Sequence, residues 1–339
     1  MRCFAAAFAL LLVAGAAAAA PAYTIGTPIP LGPPDRWDYL TFDAASHRVY
    51  AAHSTEVTVV DVESGKVVGR VAGVSGAHGV VVVPELGRGF AASDDAAGVI
   101  VFDTKSFGPV ATLKTAAGPD ALAYDPQTRR VFVMNGDDNS VSAIDAAANK
   151  VIGKTALGGG PESAAGDGKG KIFINMESTK EVVRLDAASL KVEARFPVPD
   201  CEAPHGLAVD GGTARVFTTC VNARMLVLDG ASGHILATLP IGKGTDSAAF
   251  DPSRKQAFSS NGEGTLSVVA ETDPDHFSSL GEVPTLPGAR TMALDTATGR
   301  VFLVTADVDG QDPPRRPGGP PRFRYKPGTA KLVVLTPGG

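Results

Sequence analysis

The chain has 339 residues, 44% of them hydrophobic, with 39 Gly and 25 Pro. That supplies enough apolar surface for a large core and too many turn formers for a mainly helical fold. A net charge of −5 and a pI near 5.7 exclude the strongly basic balance on which general nucleic-acid binding depends.

Residues 1–22 read as a secretory signal peptide. Arg2 is the positive start, residues 4–13 the apolar run, and residues 14–20 a small-residue tract with cleavage expected near Ala20. Cys3 precedes the apolar run, which argues against a lipoprotein. No later stretch is apolar enough to cross a bilayer. Residues 23–339 are therefore expected as a single domain in the periplasm or outside the cell. Two cysteines remain there, Cys201 and Cys220, and in an oxidising compartment such a pair is expected as a disulfide.

Beyond residue 32 the chain repeats itself about every 42 residues. The clearest copy is PDALAYDPQTRRVFVMNGDDNSVSAIDAAANKVIGKTALGGG, from Pro119 to Gly160. It divides into four short strands, ALAYD, VFVMN, SVSAID and KVIGKTAL, separated by turn-forming residues. First strands end at Asp43, Val83, Asp125, Asp167, Asp210, Asp251 and Asp295, and second strands read VYAA, GFAA, VFVM, IFIN, VFTT, AFSS and VFLV. Seven copies of four strands predict an all-β, seven-bladed β-propeller of four-stranded antiparallel blades. The last unit lacks a fourth strand, and YTIGTPIPLG near the N-terminus matches the missing one. The N-terminal strand is expected to close the last blade and remove two sheet edges.

The pattern P-x-x-L-A-x-D-P-x-x-x-x-V-F-V-x-N-x-x-x-x-x-V-S-x-I-D resembles the YVTN-repeat propellers, in particular the YncE-like periplasmic group, across essentially all of residues 23–339. The resemblance implies the fold and points to no single chemistry, because similar propellers include binding proteins, surface proteins and relatives of lactonases and lyases. No unit carries the paired Gly-His and Trp-Asp signature of WD40 repeats.

Most acids have a turn to hold. Asp61, Asp103, Asp145, Asp186 and Asp229, like the aspartates that end first strands, precede turns whose amides a carboxylate accepts. One position is different. Five residues before each first-strand end stand Asp38, His78, Asp120, Glu162, His205, Asp246 and Arg290, all ionisable. Innermost strands enter from one face, so these side chains should ring one mouth of the channel, one step beyond the packed layer. Polar groups are tolerated at any solvated mouth, yet Ser, Thr or Asn would serve that purpose equally well. Two imidazoles and four carboxyls suit either a polar ligand or one divalent metal ion. His78 and His205 stand three units apart, which is far for one ion. His53, Asn135 and Asn261, at the ends of second strands, are accessory candidates on the same face. The expected disulfide would pin the loop that presents His205.

Residues 308–329 form a Pro/Arg-rich insertion in the last unit, with Arg315, Arg316, Arg322, Arg324 and Lys326 as a basic arm or lid over the same mouth. No haem-attachment motif, phosphate-binding glycine loop or G-x-S-x-G elbow occurs. The expected function is that of a monomeric, non-enzymatic binding or interaction propeller. Its ligand would be a small polar molecule or a periplasmic protein, with neither nucleic acid nor a membrane span involved. Two alternatives are a metal-dependent lactonase- or lyase-like enzyme with its metal at the mouth, and a periplasmic metal-handling or electron-transfer partner.

Overall fold

A computed structural model describes residues 22–314 and 322–338. The expected signal peptide, apart from Ala22, and Arg315 and Arg316 lie outside the described residues. Among the described residues no helix is long and apolar enough to cross a membrane.

The chain is an all-β propeller. The strands follow the predicted units closely, as in Pro119–Asp125, Arg130–Asn135, Ser140–Asp145 and Lys150–Ala156, which pair in order as one antiparallel sheet. Each unit places one large aromatic residue in its second strand: Tyr50, Phe90, Phe132, Phe173, Phe217, Phe258 and Phe302, all fully buried. Burying a ring of this size contributes about 2–3 kcal/mol, and the seven together anchor the sheets to one another. Phe42 stacks on Phe302 at 5.0 Å between ring centroids, joining the first unit to the last.

The expected count of seven blades is corrected to six. The strands gather into six propeller sheets, with a small two-stranded sheet beside them. Four sheets have four strands each. The closing sheet holds Met292–Asp295, Arg300–Thr305, Lys331–Pro337 and two short N-terminal strands. The first two sequence units share one six-stranded sheet, because Lys66–Val83 is a single strand that pairs with Arg48–Asp61 along one half and with Arg88–Ser93 along the other. The ladders meet at Ala77, at whose place three units carry Pro119, Pro161 or Pro204, which lack the N–H, and the others Trp37, Thr245 and Ala289. Ala77 keeps its N–H and pairs with both Ser54 and Ser93, so the two ladders fuse. The innermost strands of the seven units follow one another around the axis, and Met292–Asp295 comes back into contact with Leu40–Asp43.

Ring closure uses both ends of the chain. Tyr23–Ile25 pairs antiparallel with Lys331–Pro337, Tyr23 opposite Pro337 and Ile25 opposite Leu335, and Ile29–Pro30 continues along the same partner. Ile29 and Leu31 are buried there among Leu40, Ala293 and Leu332. On the far face the turn aspartates behave as expected: Asp103 Oδ1 accepts the Ser106 amide at 2.7 Å, and Asp229 Oδ1 accepts the Ser232 amide at 2.7 Å.

Candidate ligand site at the channel mouth

The seven ring positions lie at or just before the start of the innermost strands, and five of them, but not Asp120 or Glu162, border one mouth. Above them is a cavity of about 1040 Å³, bordered by Asp38, His78, His205, Asp246 and Arg290 and by the entry loops. Just below, a narrower space of about 130 Å³ is bounded by Leu40, Val80, Leu122, Leu207 and Met292, the apolar layer expected beneath the ring.

The ring divides into two groups. Asp38, His78 and Asp120 form one, Glu162, His205 and Asp246 the other, and within each group the candidate ligand atoms all lie within 4.8 Å of one another. In the first group the imidazole is hydrogen-bonded, while Asp120 Oδ1 is buried without a hydrogen-bond partner. His78 Nδ1 is 2.7 Å from Asp38 Oδ2 and 3.7 Å from Asp120 Oδ1. The hydrogen bond to Asp38, working against burial, lifts His78 to about 9, so the imidazole is cationic at neutral pH. Burial pushes Asp120 up to about 7, the Asp38 charge adds to this, and His78 only partly offsets it.

The second group is open. His205 Nε2 stands 3.9 Å from Glu162 Oε1 and 3.7 Å from Asp246 Oδ1, beyond hydrogen-bond reach of either. His205 Nδ1 is also buried without a hydrogen-bond partner. Its backbone, in contrast, is firmly held. Asn175 Nδ2 donates to the His205 carbonyl at 2.7 Å, Ser163 Oγ donates to the same oxygen, and the Cys201–Cys220 disulfide ties the loop leading into this strand to the end of Arg215–Cys220. Asp246 is 93% buried and gives its other oxygen, Oδ2, to Arg290 Nε at 3.0 Å. That neighbour, before any other charge, raises the Arg290 guanidinium. Glu162 is pushed up to about 8, chiefly by burial, with His205 opposing and the nearby acids Asp120, Asp246 and Glu177 adding to the rise.

Tyr39 is not among the positions that the repeat singles out. At its place the other six units carry Gly79, Ala121, Ser163, Gly206, Ser247 and Thr291, all small. From the first unit Tyr39 reaches across the axis, and its hydroxyl lies 3.4 Å from Glu162 Oε1 as donor. The ring thus has a phenol beneath it. Burial, followed by the surrounding acids, holds that phenol well above its ordinary range. The signal was present in the sequence as a single break in a column of small residues.

The accessory candidates turn out to hold hairpins. His53 is fully buried with Nδ1 2.9 Å from Thr58 Oγ1, and burial lowers its pKa. Asn135 Nδ2 donates to Ser142 Oγ at 3.0 Å and Asn261 Nδ2 to Ser267 Oγ at 2.9 Å, both buried. None of the three borders the cavity.

The described residues of the insertion include a β-hairpin, Val308–Asp312 paired with Arg322–Tyr325. It leans over the mouth: Arg322, Phe323 and Tyr325 border the cavity, and Tyr325 packs edge-on against Trp37 at 4.9 Å. Gly328 donates its amide to Asp35 Oδ1 at 2.6 Å, a second tie to the first unit. Arg324 is paired with Asp312 within the hairpin, and Lys326 bonds Asp307 through its backbone.

No protein-family model matches the sequence. Over 188 residues, 53% of this chain, it is 29% identical to the uncharacterized protein YncE of Salmonella typhimurium, and it spans about half of that relative, 52% of its length. Among solved structures, the chain resembles a streptogramin B lyase with a TM-score of 0.71 at 12% identity, covering 93% of this chain and 98% of that one. It resembles the WD40 repeats of RRP9 with a TM-score of 0.76 at 11% identity, covering 94% and 99%. It also resembles the Kuenenia stuttgartiensis hydrazine synthase with a TM-score of 0.69 at 16% identity, covering 82% and 93%. At such identities the likeness is one of fold.

Proposed function

We propose that the chain is a YncE-like binding propeller, exported to an oxidising compartment, that holds a small cationic ligand in the channel-mouth cavity. One observation carries this reading. The cavity is bordered by five carboxyl groups, those of Asp35, Asp38, Asp94, Glu177 and Asp246, against the guanidinium groups of Arg36, Arg290 and Arg322 and the His78 imidazolium. An acidic pocket with low-dielectric walls concentrates cations and repels anions. Trp37, Phe323 and Tyr325 at its rim add aromatic faces that attract a positive group. The likeness to solved propellers bears on architecture, whereas the charge of the pocket bears on the ligand. The disulfide supports the assignment to an oxidising compartment.

Trp37 is the sole tryptophan and borders the cavity, so its fluorescence reports on the mouth. Titration with divalent metal ions and with putrescine should give saturable changes, while sulfate and citrate should give none. A saturable response to the anions without one to the cations would overturn the reading. A second reading, a metal-dependent lactonase- or lyase-like enzyme, is favoured only by the Glu162–His205–Asp246 grouping. Lactone hydrolysis abolished by a chelator and restored by metal would support it.

A further inference from the structure

We infer that the cation is a divalent transition-metal ion held by Glu162 Oε1, His205 Nε2 and Asp246 Oδ1, and that the Asp38–His78–Asp120 group is not a metal site. This rests on the proposed cation-binding role of the mouth and specifies the ligand.

The argument starts from what His205 faces. Its Nε2 points toward two carboxylate oxygens at 3.7 and 3.9 Å. A shared proton would draw each pair to about 2.8 Å, so these gaps are too wide for hydrogen bonds. A metal with bonds of about 2.0–2.2 Å separates tetrahedral ligand atoms by about 3.4 Å. The observed separations exceed that by only a few tenths of an ångström. An ion between them would draw the three ligand atoms into one coordinated set.

Each group combines two carboxyls with one imidazole, and the hydrogen bonding of the imidazole differs. In the first, His78 donates to Asp38 at 2.7 Å, which occupies the nitrogen that a metal would need. In the second, neither imidazole nitrogen has a hydrogen bond. The Nε2 edge of the ring, without a hydrogen bond, is free to coordinate. Asp246 is arranged for both tasks, with Oδ2 on Arg290 and Oδ1 toward His205. Two carboxylates neutralise a divalent ion, and the imidazole selects zinc, cobalt, nickel, copper or iron over magnesium or calcium. Tyr39 is a positioning residue: its hydroxyl, 3.4 Å from Glu162 Oε1, fixes that carboxylate from the opposite side of the channel.

The test uses the mature full-length chain, stripped with a chelator and titrated with cobalt(II), then competed with zinc. One equivalent should bind and give the visible absorption of a cobalt site with nitrogen and oxygen ligands. His205→Ala and the isosteric Glu162→Gln should each weaken binding at least about tenfold, and Tyr39→Phe by a smaller factor with the absorption bands displaced. His78→Ala should change affinity less than about threefold, with thermal unfolding showing that each variant is folded. Unchanged binding in both His205→Ala and Glu162→Gln, or equal loss in His78→Ala, would overturn the inference. If cobalt and zinc do not bind while putrescine still perturbs Trp37, this inference fails alone. If neither does, the cation-binding role fails with it.

Discussion

Carboxylates on the two faces of the propeller respond to pH in opposite directions. Asp229 is held below its ordinary value, first by the Ser232 amide and, against some burial, by the Ser232 hydroxyl and Arg215. A depressed carboxylate stabilises the fold above its unfolded pKa and loses that contribution as pH falls through the folded one. Asp229→Ala should therefore cost about 1 kcal/mol at pH 7 in denaturant unfolding, and less at pH 3. Asp120 is the reverse case. Its pKa is raised by burial to about 7, so the stability it allows is complete below pH 4 and is lost as pH rises through 7. Asp120→Asn should gain on the wild type from pH 5 to pH 8, by on the order of 1 kcal/mol. An unchanged difference between those pH values would contradict the burial argument. The ring positions themselves were legible in the sequence because register fixes them: each stands a constant five residues before a strand end. Which of them pair was not legible. That the His78 ring bonds Asp38 while the His205 ring has no hydrogen bond depends on about an ångström of separation between neighbouring units.

At the scale of elements, the loop into Pro204–Asp210 and the mouth hairpin are the two adjustable parts. The disulfide closes 19 residues and, through the lost freedom of the unfolded chain, contributes about 3 kcal/mol. Cys201→Ser with Cys220→Ser should lower stability by about 2–4 kcal/mol and weaken cation binding, because the loop before His205 is released. Binding that stays intact would show that Asn175 and Ser163 suffice to hold His205. The hairpin depends on a close approach at Gly288, whose φ is +78° and where an added Cβ would fall on the Tyr325 hydroxyl. Gly288→Ala should displace Tyr325, expose Trp37 and shift its emission to longer wavelength, with a cost of about 1 kcal/mol or more. The sequence marked this segment as an insertion over the mouth, and its proline-rich spelling concealed the paired strands. Alternating Arg322, Phe323, Arg324 and Tyr325 do read as a strand once their partner is known. The accessory candidates were misjudged for a related reason. His53, Asn135 and Asn261 sit at strand ends, where a polar side chain serves the following hairpin as readily as a pocket.

For the whole molecule, the repeat length and strand count made the propeller legible, and the blade count failed at one residue. Ala77 pairs with both Ser54 and Ser93, so two units share a sheet, a pairing that spacing does not reveal. Closure by the N-terminal strand was readable from composition, because the last unit ran out of chain. Removing residues 23–32 should strip Ile29 and Leu31 from the core, lower stability by at least about 3 kcal/mol, and leave Lys331–Pro337 as a bare edge. A deletion variant as stable and as soluble as the parent would contradict this.

That closure also sets an order of events. Tyr23 and Pro337 are direct neighbours in the sheet, yet one is made before every repeat unit and the other after them. Contacts so distant along the chain reward the protein only after every intervening unit is present. Until the last strand arrives, the first has no partner, and the unfinished ring carries two strand edges able to join other chains. A propeller sealed by its own ends therefore has no protected halfway state. Its assembly is committed to the complete chain.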